Sequence, residues 1–231
     1  MKRIVLLALC LISINAAFAQ KKVGQLSFIP RVGLNLSNLG DMDFYITADS
    51  NDKMTSRVRP DFLVGGDLEY QVVRQLGVSI GAFYSRQGCR WTDYTLESTD
   101  SETKVVTRDS YEDQAYILQY INVPVTANLY VGDYFSFSLG VQCGALVGNN
   151  WHLVNIVSTE TPDGDVTAKS TEQNTKLENM KSLVWSIPVG ASFEYERVII
   201  GVRYNIPLTR FNNLISKGGN RVWTFSVGYR I

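Results

Sequence analysis

From Asp61 to Val73 the even positions Phe62, Val64, Gly66, Leu68, Tyr70 and Val72 form one row. The odd positions include Gly65, Asp67, Glu69 and Gln71. A period of two with one apolar face is a strand wetted on one side only. The same rhythm recurs along the chain. A first strand from about Gln25 to Leu36 sets Val32, Leu34 and Leu36 against Arg31, Gly33 and Asn35. A third, Leu76 to Trp91, sets Val78, Ile80, Ala82 and Tyr84 against Ser79, Gly81, Ser85 and Gln87. A fourth, Tyr116 to Val131, turns Ile121, Val123, Val125, Ala127 and Leu129 one way and Asn122, Thr126 and Asn128 the other. Four more begin near Phe135, Leu183, Val198 and Trp223, each with its own apolar row.

The connections alternate in length. Arg74-Gln75, Gly132-Asp133 and Glu196-Arg197 are tight turns. Ser37–Pro60, Asp93–Ala115, a stretch reaching Lys181, and Arg210–Asn220 are long loops. Within the third, Thr161-Pro162-Asp163-Gly164 signals a hairpin tip. Its flanks, Val154–Thr159 and Val166–Ser170, are expected to prolong strands five and six beyond a bilayer. Short turns at one end and long loops at the other are the habit of outer-membrane barrels. The expected fold is all-β: an eight-stranded antiparallel up-and-down transmembrane β-barrel with long extracellular loops, apolar outside and polar within. Trp91, Trp151, Trp185 and Trp223 fall near the long loops, and Tyr70, Tyr130, Tyr134, Tyr195 and Tyr229 near the short turns or the terminus. They are expected to form two interfacial aromatic belts. Gly88, Pro124, Pro188 and Pro207 lie inside strands and are expected to mark bulges or kinks.

The first nineteen residues change the picture by naming a compartment. Lys2 and Arg3 precede an apolar run, Ile4–Ile14, and Ala17-Phe18-Ala19 fits a cleavage site. The expected domains are a signal peptide over 1–19 and a barrel over 20–231. Removing the signal leaves a net charge near −2, which argues against a nucleic-acid partner. The remaining cysteines, Cys89 and Cys143, fall on opposite faces of their strands and are expected to be unpaired thiols. No cysteine, histidine or carboxylate spacing suits a metal, and no glycine-rich loop suits a phosphate cofactor, so no cofactor is expected.

Candidate chemistry is sparse. An eight-stranded barrel is just wide enough for side chains to fill. Arg31, Asp67, Glu69, Glu194, Arg203 and Arg230 point inward, three of each sign, and are expected to pair as a lumen plug. His152 is the lone histidine, at a rim, without a serine two or three residues away for nucleophilic work. The second outer loop carries Asp93, Glu97, Asp100, Glu102, Asp109, Glu112 and Asp113 against Lys104 and Arg108. A solvated, repulsive cap is the expected reading, with a cation-bridged lipopolysaccharide or a basic partner as the alternative. A soluble lipocalin-like carrier would reverse the faces, and a lipid-modifying enzyme would need His152 in an active site.

Three stretches resemble a known family. Pro30-Arg31-Val32-Gly33-Leu34-Asn35-Leu36-Ser37, Tyr84-Ser85-Arg86-Gln87-Gly88 and Tyr120-Ile121-Asn122-Val123-Pro124-Val125 are similar to strands one, three and four of PorT-like outer-membrane barrels of Bacteroidetes, an OmpX/OmpA-like architecture. The resemblance spans the chain and implies a non-enzymatic barrel in a Gram-negative outer membrane. Its implied partners are outer-membrane lipid and lipopolysaccharide, the assembly machinery during insertion, and an extracellular or secretion-system protein. Such barrels often end in an aromatic residue; this chain ends in Ile231, with Tyr229 keeping the alternation.

Overall fold

The structure is a computed structural model that describes residues 22–40, 44–45, 53–213 and 219–231. The expected signal peptide lies outside the described residues. Among the described residues thirteen strands follow in order: β1 (Leu26–Asn38), β2 (Phe44–Tyr45), β3 (Lys53–Met54), β4 (Ser56–Arg57), β5 (Arg59–Val73), β6 (Leu76–Trp91), β7 (Tyr94–Thr99), β8 (Val106–Val131), β9 (Phe135–Glu160), β10 (Val166–Thr175), β11 (Leu183–Tyr195), β12 (Val198–Pro207) and β13 (Arg221–Tyr229). Eight of them form a ring: β1, β5, β6, β8, β9, β11, β12 and β13, each antiparallel to the next. β13 closes on β1 with Val32 opposite Val227 and Leu34 opposite Phe225. Closure matters because a sheet edge in hydrocarbon would leave a row of unbonded peptide groups.

The two faces are sorted as the alternation requires. Val32, Ile80, Leu139 and Val227 are 60%, 53%, 59% and 50% exposed, whereas Asp67, Glu69, Asn122 and Thr224 are 3%, 3%, 4% and 4% exposed. A soluble monomer rarely shows contiguous apolar surface beyond a few hundred Å². Here apolar side chains project outward from all eight ring strands, so the wall is built for lipid. The lipocalin-like alternative fails on the same observation, because the enclosed volume is lined largely by charge, amide and hydroxyl.

Three expectations require correction. The stretch Asp93–Ala115 is not a loop but a hairpin, in which β7 pairs with the first turnward half of β8, Glu97 opposite Arg108 and Tyr94 opposite Tyr111. It escaped the apolar-row test because a strand standing in water has no greasy face to betray it. The flank Val154–Thr159 does prolong its strand, since β9 runs unbroken to Glu160. The other flank instead becomes β10, separated from β11 by residues 176–182. The prolines interrupt ladders without shifting them. The β6–β8 pairing lapses between Ile80–Val125 and Phe83–Asn122 around Pro124, and the β9–β11 pairing lapses around Pro188, each resuming in the same register. A missing N–H costs rungs there but inserts no residue. The register shifts sit elsewhere, at Gln71/Val73, Glu112/Ala115 and Gln119/Tyr120.

Gly88 is the one described in-strand glycine with a positive φ. Its φ is +144°, a Cβ there would lie 1.9 Å from the Tyr116 carbonyl oxygen, and its N–H donates 2.8 Å to Ser37 Oγ.

Candidate functional site

The interior is stacked in three layers, and the sequence of each strand dictates which layer it feeds. At the short-turn end, β5 supplies Glu69, β8 supplies Tyr130 and Asn128, β11 supplies Glu194, and Arg230 follows β13. Arg230 Nη1 donates to Glu69 Oε1 at 2.7 Å. Its Nε and Nη2 grip both oxygens of Glu194 at 2.7 and 3.0 Å. Tyr130 donates its hydroxyl to Glu69 Oε1 at 2.5 Å, and Asn128 Nδ2 donates to Glu69 Oε2 at 2.7 Å. Two buried carboxylates thus share one guanidinium, with neutral donors meeting oxygens of Glu69, which is what a buried charge needs to be tolerated. Ser79 and Thr126 hydroxyls bond at 2.7 Å beside them.

In the same charged layer, Arg31 Nε donates to Asp67 Oδ2 at 2.7 Å. Arg203 stands over the Phe83 ring, 5.9 Å from its centroid, and lines the same cavity as Arg31 and Asp67. The cavity enclosed by these residues measures about 30 Å³, room for a water or two. All six expected inward charges therefore lie in the lumen, five of them in ion pairs. Above them Asn35 gathers the middle layer: its Nδ2 donates to Ser85 Oγ at 2.9 Å and its Oδ1 accepts from Thr224 at 2.8 Å.

The third layer is apolar. Leu39, Met54, Cys89, Trp91, Leu118, Tyr120 and Phe211 form one buried cluster under the long loops. Sequence reasoning missed it. The signal was present, since Tyr116, Leu118 and Tyr120 continue the inward row that Asn122 and Thr126 occupy lower on β8.

This cluster corrects the aromatic assignment. Trp91 is 5% exposed and points inward, in edge contact with Tyr116 at 4.5 Å. Trp151 pairs across β8–β9 with Tyr116 and meets its ring at 6.3 Å, so it extends the same inward line rather than a belt. Tyr130 belongs to the lumen. Trp185 and Trp223 do project outward at the loop end, as do Tyr70, Tyr134 and Tyr195 at the turn end, with Tyr229 half-buried beside them.

The acidic stretch is also less repulsive than its composition suggests. Arg108 bonds Glu97 Oε2 at 3.0 Å and Glu160 Oε2 at 2.7 Å, tying three strands together, and that pairing raises the Arg108 pKa. Asp109 accepts from Tyr111 and Asn155. Asp93 accepts from the Asp113 N–H at 3.0 Å. Asp100 accepts from the N–H groups of Thr103 and Glu102 at 2.9 and 2.8 Å, which holds its carboxyl below the usual range. Glu102 and Glu112 remain exposed at the surface. The charges thus serve a wall of paired strands, β7–β8–β9–β10, standing above the barrel. His152, on this wall, has Asn174 Oδ1 at 3.1 Å and Glu172 at 3.6 Å.

Among solved structures, the chain is similar to Ail, the attachment invasion locus protein of Yersinia pestis, at 12% identity, covering 91% of this chain and 100% of that one with a TM-score of 0.41. Neisserial surface protein A is similar at 13% identity, covering 88% and 96%, with a TM-score of 0.37. No curated protein matches the sequence. A family described as outer membrane protein beta-barrel domain matches residues 18–213, which takes in seven of the eight ring strands. With an outward apolar wall, a closed antiparallel ring and that match, the chain belongs to the outer-membrane β-barrel domain family.

Proposed function

We propose that this chain is a non-enzymatic, PorT-like barrel of the Bacteroidetes outer membrane. It is exported by a signal cleaved after Ala19 and presents its extracellular strands for interaction or for envelope integrity. The observation that carries the reading is the lumen: Arg230 bound to Glu69 and Glu194, Arg31 to Asp67, and a cavity of only about 30 Å³ between them. A filled axis leaves the outer wall as the part free to act, and surface-exposed strands and loops are where a rigid scaffold carries recognition. Its partners are outer-membrane lipid and lipopolysaccharide, the assembly machinery during insertion, and an extracellular or secretion-system protein. An enzymatic role is disfavoured by the surroundings of His152, whose neighbours are an amide and a carboxylate rather than a nucleophile to activate.

The test is electrical. Protein inserted in a planar bilayer is expected to show no stepwise conductance at physiological salt. Steady ion-conducting steps from the wild-type protein would replace this reading with a channel. Unchanged lipid A in cells carrying His152→Ala is the companion expectation, and altered lipid A would revive the enzyme.

A further inference from the structure

Three guanidinium groups and three carboxylates line the lumen cavity, but they do not share the charge evenly. Arg230 holds both Glu69 and Glu194, so that group carries one negative charge in excess. Tyr130 and Asn128 donate to Glu69, and Glu194 borders the vestibule of about 960 Å³ at the short-turn end, which relieves the excess. Arg31 and Arg203 are left with Asp67 alone, and Arg31 Nε takes it at 2.7 Å. That second group carries one positive charge in excess. Arg203 makes no hydrogen bond or ion pair among the described residues, and only the Phe83 ring stands beneath it, its centroid 5.9 Å from Cζ. A ring face compensates an enclosed cation far less than a carboxylate does.

The cavity wall supplies further donors beside that charge. Ser138 and Ser226 line it, and neither hydroxyl has a hydrogen-bond partner among the described residues. The three carboxylates of the wall offer an anion little repulsion, because each is already held by a guanidinium. A volume of about 30 Å³ takes one or two water-sized particles, which suits a halide and is too tight for sulfate. Enclosed charge is tolerated where it is paired and hydrogen-bonded. We propose that the lumen cavity binds one chloride, held by Arg203 and Arg31 with the Ser138 and Ser226 hydroxyls. The ion is the counter-charge that completes the plug. The proposal rests on the sealed-axis reading and adds a ligand to it.

The experiment refolds the full chain in detergent micelles in mixtures of sodium chloride and sodium gluconate at fixed ionic strength, so that the cavity forms with the ion present. Urea midpoints read binding, because a ligand of the folded state alone raises stability with the logarithm of its concentration. The native midpoint is expected to climb as chloride replaces gluconate. Arg203→Gln is expected to lose that climb, and in gluconate to unfold no earlier than the native chain, since it removes an enclosed charge without a carboxylate of its own. Crystals of the native chain grown in sodium bromide are expected to show one anomalous scatterer between Arg31, Arg203 and Ser226. An equal chloride response in the variant, or no scatterer in the native cavity, overturns the site. The bromide measurement decides even where the variant does not fold. Bilayer recordings keep the two readings apart: a silent bilayer without a chloride response faults the site alone, and conducting steps from a chain that still responds fault the plug alone.

Discussion

Replacing Arg230 by methionine removes the hub of the lower lumen. Its guanidinium makes hydrogen bonds of 2.7, 2.7 and 3.0 Å to Glu69 and Glu194 and one of 3.0 Å to Tyr130. Breaking a buried ion pair from one side costs about 3–5 kcal/mol, because the abandoned charge stays desolvated. Here two carboxylates are abandoned, which pushes the figure up. Two features pull it down. Glu194 borders a vestibule of about 960 Å³ at the short-turn end and can take up water, and Glu69 keeps the Tyr130 and Asn128 donors. The balance gives a loss of about 3 kcal/mol. Urea unfolding in detergent micelles measures it, read as a lower midpoint at unchanged slope. Combining Arg230→Met with Glu69→Gln and Glu194→Gln should recover most of the loss, since no bare charge then remains. A single variant within about 1 kcal/mol of the native protein would refute the idea that this network seals the axis.

Three further outcomes follow from the same geometry. Leu139→Arg, on the outward row of β9, should destabilise the barrel in lipid by about 2–4 kcal/mol, seen as a lower unfolding midpoint in liposomes. Gly88→Val should cost about 3 kcal/mol or more, because both its φ and the Tyr116 carbonyl forbid a side chain, and should abolish the heat-dependent gel shift. At the tip of the β7–β8 hairpin, Asp100 titrates below its ordinary range because it accepts from Thr103 and Glu102. Its contribution is therefore full above about pH 4 and fades as pH falls through the lowered value. Amide exchange at Thr103 and Glu102 should accelerate over that acid window in the native chain but show no such step in Asp100→Asn.

The strands that cross the bilayer were legible because lipid and lumen impose opposite demands on neighbouring residues. Leu76–Trp91 matches its observed limits, and the strand expected to begin near Leu183 begins there, for that reason. The tight turns were legible from spacing alone. Outside the bilayer the contrast disappears: both faces of Tyr94–Thr99 meet water, so its strand character was hidden behind Thr, Ser and Glu, and of Val166–Thr175 only the half beside the hairpin-tip signal was legible as strand. The inward charges were legible because arginine and glutamate have no place on a lipid face. Which carboxylate each arginine would take was not, since Arg230 reaches Glu69 across 161 residues of chain. Trp91 was misplaced because tryptophan suits both an interface and a core. Only the parity it shares with Cys89 on β6, one step beyond Arg90, tells the two apart.

The central claim concerns which side chains face hydrocarbon, and nitroxide scanning of β9 addresses it most directly. Single cysteines from Phe137 to Gln142, in a background with Cys143 replaced by serine, would carry the label in liposomes. Oxygen, which concentrates in lipid, should relax the labels at 137, 139 and 141 strongly and those at 138, 140 and 142 weakly, with a period of two. The opposite phase, or no period at all, would contradict the account.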